Sequence, residues 1–245
     1  MTNFIKSVYF SNALPHPTNM TSAIALIPAR GGSVEIPNKN IREVGNVPLI
    51  CWTIRAATQS GVFQKVYVSS DSDKILEIAQ KEGALTHARS QDTSSSTATT
   101  ESVIVEFLST NKDDFDIFCL IQATSPFIPP LDLKNAFAAL SVSPADSLLS
   151  VTTAHKFIWR RDDGEDFIHP LNYDVSQRPR RQDWRGELIE NGAFYMIKNE
   201  FLNRQTGTRL GKKVIPYEME AKNSMEIDSF LDLKICNAML PSTGA

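Results

Sequence analysis

The sequence predicts an α/β fold in which a mostly parallel sheet is joined by crossover helices. After residue 23, short apolar runs typical of strands alternate with segments of helical hydrophobic spacing, and such alternation indicates βαβ units. Polar loops follow several of the strand-like runs, which is where ligands bind in parallel sheets. The length of 245 residues is sufficient for one sizeable domain, or for one domain with a subdomain.

Each element is predicted from its hydrophobic period and its flanking turn residues. The first strand covers 24–27, a short apolar run before the first polar loop. The other predicted strands are short apolar or β-branched runs and cover residues 65–70, 116–122, 147–152, 192–198 and 213–217. The predicted helices have apolar residues at helical spacing and cover residues 47–60, 71–82, 99–108, 131–140 and 229–239.

The chain divides into a leader, a domain and a tail. Residues 1–22 are polar and irregular, so we expect a disordered leader there. Residues 23–240 form the predicted domain, and 241–245 form a short tail. Between about 155 and 190 the alternation gives way to aromatic, proline-rich and arginine-rich sequence, which indicates an insert.

Composition argues against several classes of function. The formal net charge of −3 argues against a general nucleic-acid binder, and no apolar run approaches the roughly 20 residues of a membrane span. The cysteines, Cys51, Cys119 and Cys236, lie in apolar contexts, so we expect buried thiols rather than catalytic or metal-binding ones. The four histidines show no ligand spacing, which argues against a zinc site.

The loop after the first predicted strand carries groups suited to phosphate. The segment 24–40 reads IALIPARGGSVEIPNKN, and its loop contains Arg30, Ser33, Lys39 and Asn40. Backbone N–H groups and fixed cations of this kind compensate the charge of a phosphate chain. A surface turn with incidental basic residues is the alternative, because the Walker pattern GxxxxGK[ST] is absent from the sequence.

A pair of acidic residues lies near the carboxyl end, where Glu226 and Asp228 flank Ile227. In a strand or an extended segment, residues two apart share a face, so both carboxylates are expected to point the same way. Such a pair can hold Mg²⁺, which takes one or two carboxylates together with phosphate oxygens. For this segment alone, a solvated strand edge with Asp228 as the N-cap of the next helix is the simpler interpretation.

A cluster of arginines lies in the insert. Arg178, Arg180, Arg181 and Arg185 fall within eight positions, and the segment ENGAFY follows at 190–195. Such a cluster is typical of a nuclear-localisation signal or a nucleic-acid contact. Bidentate arginine contacts with an acidic small molecule, such as a carboxylated sugar, fit it equally well.

Taken together, these segments resemble the CMP-N-acetylneuraminate synthetases, also called acylneuraminate cytidylyltransferases or CMP-sialic acid synthetases. The resemblance covers about residues 23–240 and rests on the motifs PARGGS, PLI.WTIRAA, VSSD, IQATSP and RPRRQDW.GEL.ENGAFY. The last motif is the most specific, because the related CMP-Kdo synthetases share the first loop and the general fold without it. The match is nearest to the animal enzymes, without the carboxy-terminal phosphatase-like domain of the vertebrate proteins.

The resemblance implies a Rossmann-like nucleotidyltransferase working as a homodimer or dimer of dimers, in which the insert at about 155–190 covers the partner's site. It implies that CTP and N-acetylneuraminic acid give CMP-sialic acid and pyrophosphate, with Mg²⁺ or another divalent ion. The residues implied for catalysis are Arg30, Lys39 and Asp228, and those implied for the metal are Glu226 and Asp228. The residues implied for substrate binding are Ser33, Asn40, Arg89, Thr100, Gln122, Thr124, Ser125, Arg180, Arg181 and Tyr195.

The sequence departs from the family pattern at two points. The family loop usually reads Ser-Lys-Gly, whereas this chain has Ser33, Val34 and Glu35, so a lysine is lost and a carboxylate appears. At about 4 Å and an effective dielectric of about 20, repulsion between that carboxylate and a phosphate reaches roughly 4 kcal/mol. The first metal acid is usually Asp and is Glu226 here. We therefore expect a reduced rate or an altered metal preference.

Two other functions and two compartments stay open. The same fold can activate another acidic sugar, such as Kdn, and a non-catalytic paralogue can bind CTP or sialic acid without turnover. The arginine cluster favours the nucleus or cytoplasm, whereas a glycosylation sequon at Asn19 is compatible with the Golgi lumen.

Overall fold

The structure, a computed structural model, describes residues 21–33 and 35–240. The predicted tail, Val34 and all but the last two residues of the predicted leader lie outside the described residues. Ser22, which ends the predicted leader, belongs to the folded part, because its N–H donates to Asp116 Oδ2 at 2.7 Å. Ordered structure therefore begins before the first strand.

The described residues form strands and helices in alternation. The strands are β1 (Ala23–Pro28), β2 (Glu43–Val44), β3 (Val47–Pro48), β4 (Lys65–Ser70), β5 (Leu85–Ala88), β6 (Ile117–Ile121), β7 (Ser147–Ala154), β8 (Trp159–Arg161), β9 (Ile168–Pro170), β10 (Glu187–Lys198) and β11 (Val214–Glu218). The helices are α1 (Leu49–Ser60), α2 (Asp73–Lys81), α3 (Thr100–Thr110), α4 (Pro130–Val142) and α5 (Phe230–Met239).

A seven-stranded sheet carries the fold, in the order β11-β7-β10-β6-β1-β4-β5. Strand β1 pairs in parallel with β4 and β6, whereas β10 runs antiparallel to both of its neighbours, β6 and β7. The sheet is mostly parallel, so the predicted α/β, Rossmann-like class is confirmed. Because the carboxyl ends of parallel strands meet at one edge, the loops after β1, β4, β5 and β6 converge there.

Helices cover both faces of the sheet, and β1 is apolar at every position for this reason. Ala25 and Ile27 pack against α1, α2 and α4 in the larger hydrophobic cluster. Ile24 and Leu26 point to the opposite face and pack against α3, where Phe107 is buried. Because alternate residues of a strand face opposite sides of the sheet, a strand that is covered on both sides has apolar residues at successive positions.

The predicted elements are confirmed in type, and the differences lie at their ends and in the shortest strands. The helix predicted from residue 47 begins at Leu49, because Val47–Pro48 forms β3. The strand predicted at 192–198 begins earlier, at Glu187. Sequence periodicity does not predict β2, β5 and β8, because runs of 2, 4 and 3 residues carry too little pattern.

The cysteines agree with the prediction of buried thiols. Cys51, Cys119 and Cys236 are buried and free, and burial raises the pKa of Cys119 well above its usual range. Such thiols stay protonated and are poor nucleophiles or metal ligands. Among the residues that the structure describes, no helix has the length and apolar character needed to cross a membrane.

Candidate functional site

A cleft of about 590 Å³ opens at the sheet edge where the carboxyl ends of β1 and β6 meet. Its walls come from the loop after β1, the loop between β5 and α3, the start of α3, the residues after β6 and the segment before α5. The predicted site residues that line this cleft are Arg30, Ser33, Lys39, Asn40, Arg89, Thr100, Gln122, Thr124 and Asp228. The fold therefore brings together residues from both ends of the domain.

Hydrogen bonds between side chains and backbone groups hold the loop after β1 in place. The N–H of Gly31 donates to Asp71 Oδ1 at 2.7 Å, and the buried Asn40 donates from Nδ2 to the carbonyl of Arg30 at 2.9 Å. Arg30 Nη1 donates to the carbonyl of Ser95 at 3.4 Å, across the mouth of the cleft. The predicted phosphate loop is thus anchored to the loops after β4 and β5.

The carboxylate that the sequence analysis singled out also lies in this cleft. Glu35 is exposed and forms part of the cleft lining, together with the cations of Arg30, Lys39 and Arg89. A negative charge among these cations offsets part of the attraction that they exert on an anionic ligand. The expected repulsion between Glu35 and a phosphate chain therefore has a structural basis.

The acidic segment at Glu226 to Asp228 forms no strand in the structure, so of the two predicted forms, a strand or an extended segment, the strand is wrong. The N–H of Ile227 donates to the carbonyl of Thr124 at 2.9 Å, and the Ile227 side chain is fully buried in a small apolar cluster. With Ile227 inside, the carboxylates on either side turn outwards. Asp228 lines the cleft, and Glu226 Oε1 accepts a hydrogen bond from Thr124 Oγ1 at 3.1 Å.

The alternative interpretation of Asp228 as a helix N-cap is also wrong. Ser229 caps α5, because its side chain accepts from the N–H of Asp232 while the Asp232 side chain accepts from the N–H of Ser229. This capping box satisfies the first turn of the helix without Asp228. The Asp228 carboxylate is instead paired with Lys39 Nζ at 2.9 Å.

The two acidic side chains fit a divalent cation held together with phosphate oxygens. Burial raises the pKa of Glu226, and the charge of Asp228 raises it further, so a cation near both carboxylates would relieve the crowding of negative charge. Among the described residues no group of three or more His, Cys, Asp or Glu side chains is suited to a metal. A pair of carboxylates completed by phosphate oxygens and water is the usual arrangement for Mg²⁺.

The ENG segment lies next to the acidic segment, a proximity that the sequence does not predict. Gly192 has φ +68°, and a Cβ built on it lies 3.3 Å from Glu226 Oε2. Asn191 is buried, and it accepts from Ser150 Oγ at 2.6 Å and donates to Ser224 Oγ at 2.9 Å. Gly192 lies inside β10, and a glycine inside a strand often marks a bulge or a close approach. The register of β10 indeed shifts between Glu190 and Tyr195.

Four of the predicted substrate-binding residues lie outside the cleft of their own chain. Ser125 is buried, and its hydroxyl has no described hydrogen-bond partner. Tyr195 packs in the cluster under α3 and donates its hydroxyl to Glu190. Arg180 is exposed on the insert and pairs with Asp183, and Arg181 is exposed beside it. The position of Tyr195 away from the cleft follows from alternation along β10. Successive side chains of a strand face opposite sides of the sheet, and the neighbouring Phe194 packs in the other hydrophobic cluster.

The cleft also contains residues that the sequence did not assign. They come from the loop before α3 and are Thr93, Ser95, Ser96, Ala98 and Thr99, with Val103 from the helix itself. Arg89 lies beside them, and burial lowers its pKa to about 10, so it stays cationic at neutral pH. In the sequence this wall is a run of Ser and Thr at 93–100, a composition typical of a loop and a helix N-cap. Thr99 is indeed the N-cap of α3.

Comparison with known proteins identifies the family to which this fold and sequence belong. A model of the cytidylyltransferase family matches residues 24–238. The chain is 42% identical to N-acylneuraminate cytidylyltransferase A of Danio rerio, over 85% of this chain and 48% of that protein. It is also 42% identical to N-acylneuraminate cytidylyltransferase of Oncorhynchus mykiss, with the same coverage. The chain therefore spans about half the length of these curated relatives.

A solved structure shares the fold. It is that of CMP:2-keto-3-deoxy-manno-octonic acid synthetase complexed with CTP, with a TM-score of 0.65 and 17% identity, and the match covers 89% of this chain and 98% of that one. The predicted resemblance to acylneuraminate cytidylyltransferases is confirmed by the relatives, and the Rossmann-like fold by the structure. The chain belongs to the cytidylyltransferase family.

Proposed function

We propose that this chain is a nucleotidyltransferase that makes CMP-sialic acid and pyrophosphate from CTP and N-acetylneuraminic acid. The observation that carries the proposal is the cleft in which Arg30, Lys39 and Arg89 meet Asp228 at the carboxyl edge of the sheet. The names of relatives that are 42% identical support the choice of substrates.

The residues of the cleft suit an attack of the anomeric hydroxyl of the sugar on the α-phosphorus of CTP. Arg30 and Lys39 offer positive charge to the triphosphate and to the pyrophosphate that leaves, and such charge lowers the barrier of phosphoryl-type transfer. Gln122 and Thr124 also line the cleft, and their amide and hydroxyl can bind the polar groups of a sugar. Preformed anchoring of the loop after β1 keeps these donors oriented.

We propose Mg²⁺, or another divalent ion, as the cofactor, held by Glu226 and Asp228. When bound, such an ion neutralises charge on the phosphates and on the leaving pyrophosphate. Thr124 donates to Glu226 and so orients that carboxylate towards a single position. Support for the proposal comes from the hard oxygen donors and from the charge crowding described above.

We also propose that the chain works as a homodimer, with Arg180 and Arg181 entering the partner's cleft. The insert carries exposed apolar side chains, such as Phe167, which is 82% exposed, and Val175, which is 58% exposed. Burial of such side chains against a second copy would stabilise the dimer. Light scattering would measure the mass, and mixing an Arg181→Ala chain with a Lys39→Met chain would restore activity if the site is shared. A monomer with full activity would contradict this arrangement.

Pyrophosphate release tests the function. The purified chain is mixed with CTP, Mg²⁺ and, in turn, N-acetylneuraminic acid, Kdn or Kdo, with Asp228→Asn as the inactive control. We expect release with N-acetylneuraminic acid only when CTP is present. Faster release with Kdn would make the enzyme a cytidylyltransferase for that sugar. Binding of CTP without any release would identify a non-catalytic paralogue and overturn the proposal.

A further inference from the structure

We propose that Ser69 and His87 are positioning residues that hold Arg89 in place for nucleotide binding. The inference rests on the proposed function, because it assigns Arg89 to the nucleotide. Arg89 lines the cleft, whereas Ser69 is fully buried behind it. The two residues therefore act through Arg89 and need no contact with the substrate.

Strand register brings the three side chains together. Ser69 of β4 and His87 of β5 are direct partners across the parallel pair, so their side chains lie beside each other on one face. Arg89 follows β5, and its backbone N–H donates to the carbonyl of Ser70 at 3.0 Å. Arg89 Nε donates to Ser69 Oγ at 3.0 Å, and Ser69 Oγ lies 2.9 Å from His87 Nδ1.

The hydroxyl of Ser69 links the two larger side chains because it can accept and donate at once. A serine hydroxyl has one proton and two lone pairs, and one lone pair is taken by the Nε–H of Arg89. The described acceptor within reach of the proton is His87 Nδ1. The hydroxyl therefore donates to Nδ1, and the assigned form of His87 is the neutral imidazole with its proton on Nε2.

The surroundings of His87 favour this neutral form. Phe107 of α3 packs edge-on against the imidazole, with ring centroids 5.4 Å apart and planes at 86°. Burial lowers the pKa of His87, and the neighbouring charge of Arg89 acts in the same direction. Glu106, which faces His87 from α3, acts in the opposite direction and is the weaker influence than burial.

Protonation of His87 would reverse this hydrogen bond. The imidazolium would donate from Nδ1 to Ser69 Oγ, so the hydroxyl proton would lose its acceptor, and a second cation would lie beside Arg89. We expect the guanidinium to leave its position and nucleotide affinity to fall as the pH drops through the pKa of His87, which burial lowers from the ordinary value of histidine. The other charged groups that act on Arg89 are Asp71, Glu106 and Arg30.

The first test follows the Nε–H signal of Arg89 by nitrogen-15 NMR in the protein without nucleotide. We expect slow exchange in the wild type and in His87→Asn, whose Oδ1 replaces Nδ1 as an acceptor. We expect fast exchange in Ser69→Ala and in His87→Leu, because each breaks the link. Equal protection in His87→Leu and in the wild type would overturn the proposal. Melting curves establish that each variant is folded, and His87→Asn supplies a folded comparison if another variant is not.

The second test measures CTP affinity by calorimetry. At about pH 7.5 we expect His87→Asn to bind CTP like the wild type, and Ser69→Ala and His87→Leu to bind about tenfold more weakly, the usual loss for a charged group without its hydrogen bond. In a titration into the acid range we expect the CTP affinity of the wild type to fall through the lowered pKa of His87 and to fall further than that of His87→Asn. The titration of His87→Asn also corrects for protonation of the phosphate itself.

The outcomes separate this proposal from the proposed function. Unchanged affinity in His87→Leu, or a His87→Asn variant that keeps the pH response of the wild type, would overturn the positioning role. Failure of the wild type to bind CTP would overturn the proposed function, and the nucleotide role of Arg89 with it. In that case the Arg89 Nε–H signal still decides whether Ser69 and His87 hold the guanidinium.

Discussion

Lys39 Nζ lies 2.9 Å from Asp228 Oδ1, and this ion pair joins the loop after β1 to the segment before α5 across the cleft. The partners are 189 positions apart in sequence. The Lys39 side chain is 17% exposed and that of Asp228 is 63% exposed, so the ammonium is the more desolvated partner. A candidate phosphate-binding residue, Lys39, therefore contacts a candidate metal ligand, Asp228. Binding of phosphate to Lys39 or of a metal to Asp228 would compete with this ion pair.

Removal of Lys39 is expected to change the affinities for a divalent metal and for CTP in opposite directions. In Lys39→Met, the Asp228 carboxylate loses its competing cation, so Mn²⁺ should bind the nucleotide-free protein a few-fold more tightly, whereas CTP should bind about tenfold more weakly. Manganese titration by electron paramagnetic resonance and CTP titration by calorimetry measure the two effects. Lys81→Met is the control, because Lys81 pairs with Glu77 on the exposed surface of α2. Unchanged Mn²⁺ affinity in Lys39→Met would show that the ion pair does not compete with the metal.

Restoring the family pattern in the first loop is expected to raise activity. Glu35 lines the cleft, so Glu35→Gly combined with Val34→Lys removes a repulsive charge and adds an attractive one. We expect kcat/KM for CTP to rise by about tenfold or more, which corresponds to about 1.4 kcal/mol. Initial rates of pyrophosphate release at low salt measure the change. The single variant Glu35→Gln removes the charge but keeps a side chain, so it separates the effect of charge from that of the flexible glycine backbone. A double variant whose kcat/KM for CTP does not rise would contradict repulsion between Glu35 and the phosphates.

Gly192→Ala is expected to disturb Glu226 directly. The new Cβ would lie 3.3 Å from Glu226 Oε2, at a residue with φ +68°. We expect a loss of about 1 kcal/mol of stability from the left-handed backbone and, in addition, weaker binding of the divalent ion. Gly164→Ala is the matched control, because Gly164 has φ +82° and open space around its Cβ. If Gly192→Ala and Gly164→Ala changed Mn²⁺ affinity equally, the lower metal affinity would result from backbone strain and not from contact with Glu226.

The ion pair between Arg55 and Glu82 is expected to make stability depend on pH. Glu82 accepts from Arg55 Nε at 2.8 Å and from Nη2 at 2.7 Å, and this hydrogen bonding lowers the pKa of Glu82 from 4.5. A carboxyl whose pKa is lower in the folded state stabilises the protein above the unfolded value, and that contribution is lost as the pH falls through the folded value. Because Arg55 is 44% exposed, solvent screening keeps the effect at about 1 kcal/mol or less.

Urea unfolding of the wild type and of Glu82→Gln, measured from neutral to acid pH, tests the contribution of the ion pair between Arg55 and Glu82. The difference in free energy of unfolding should be largest near neutral pH and should shrink as the pH falls below about 4.5, since both proteins then carry an uncharged group. Glu77→Gln is the control, because its partner Lys81 and its own side chain are both highly exposed. A difference that does not vary with pH would mean that packing, and not charge, connects α1 to the end of α2.

Much of the fold and part of the site follow from local sequence pattern. The apolar run of β1 and the helical spacing of α1 predict their elements because strand and helix periods are properties of neighbouring residues. The loop after β1 supplies Arg30 and Lys39 to the cleft, as predicted. The acid–apolar–acid alternation at Glu226 to Asp228 forms no strand, since the N–H of Ile227 donates to the loop carbonyl of Thr124 and the N–H of Asp228 donates to the Asp232 side chain.

The sequence by itself determined the class of the fold and the family, because these depend on short motifs and on periodicity. Only the tertiary structure decided that Lys39 pairs with Asp228, that Tyr195 faces the core and that Ser69 and His87 stand behind Arg89. The Ser69–His87 pair depends on the parallel register of β4 and β5, and the place of Tyr195 depends on β10 lying antiparallel between β6 and β7. Contacts between distant segments arise from that packing, and no local period encodes them.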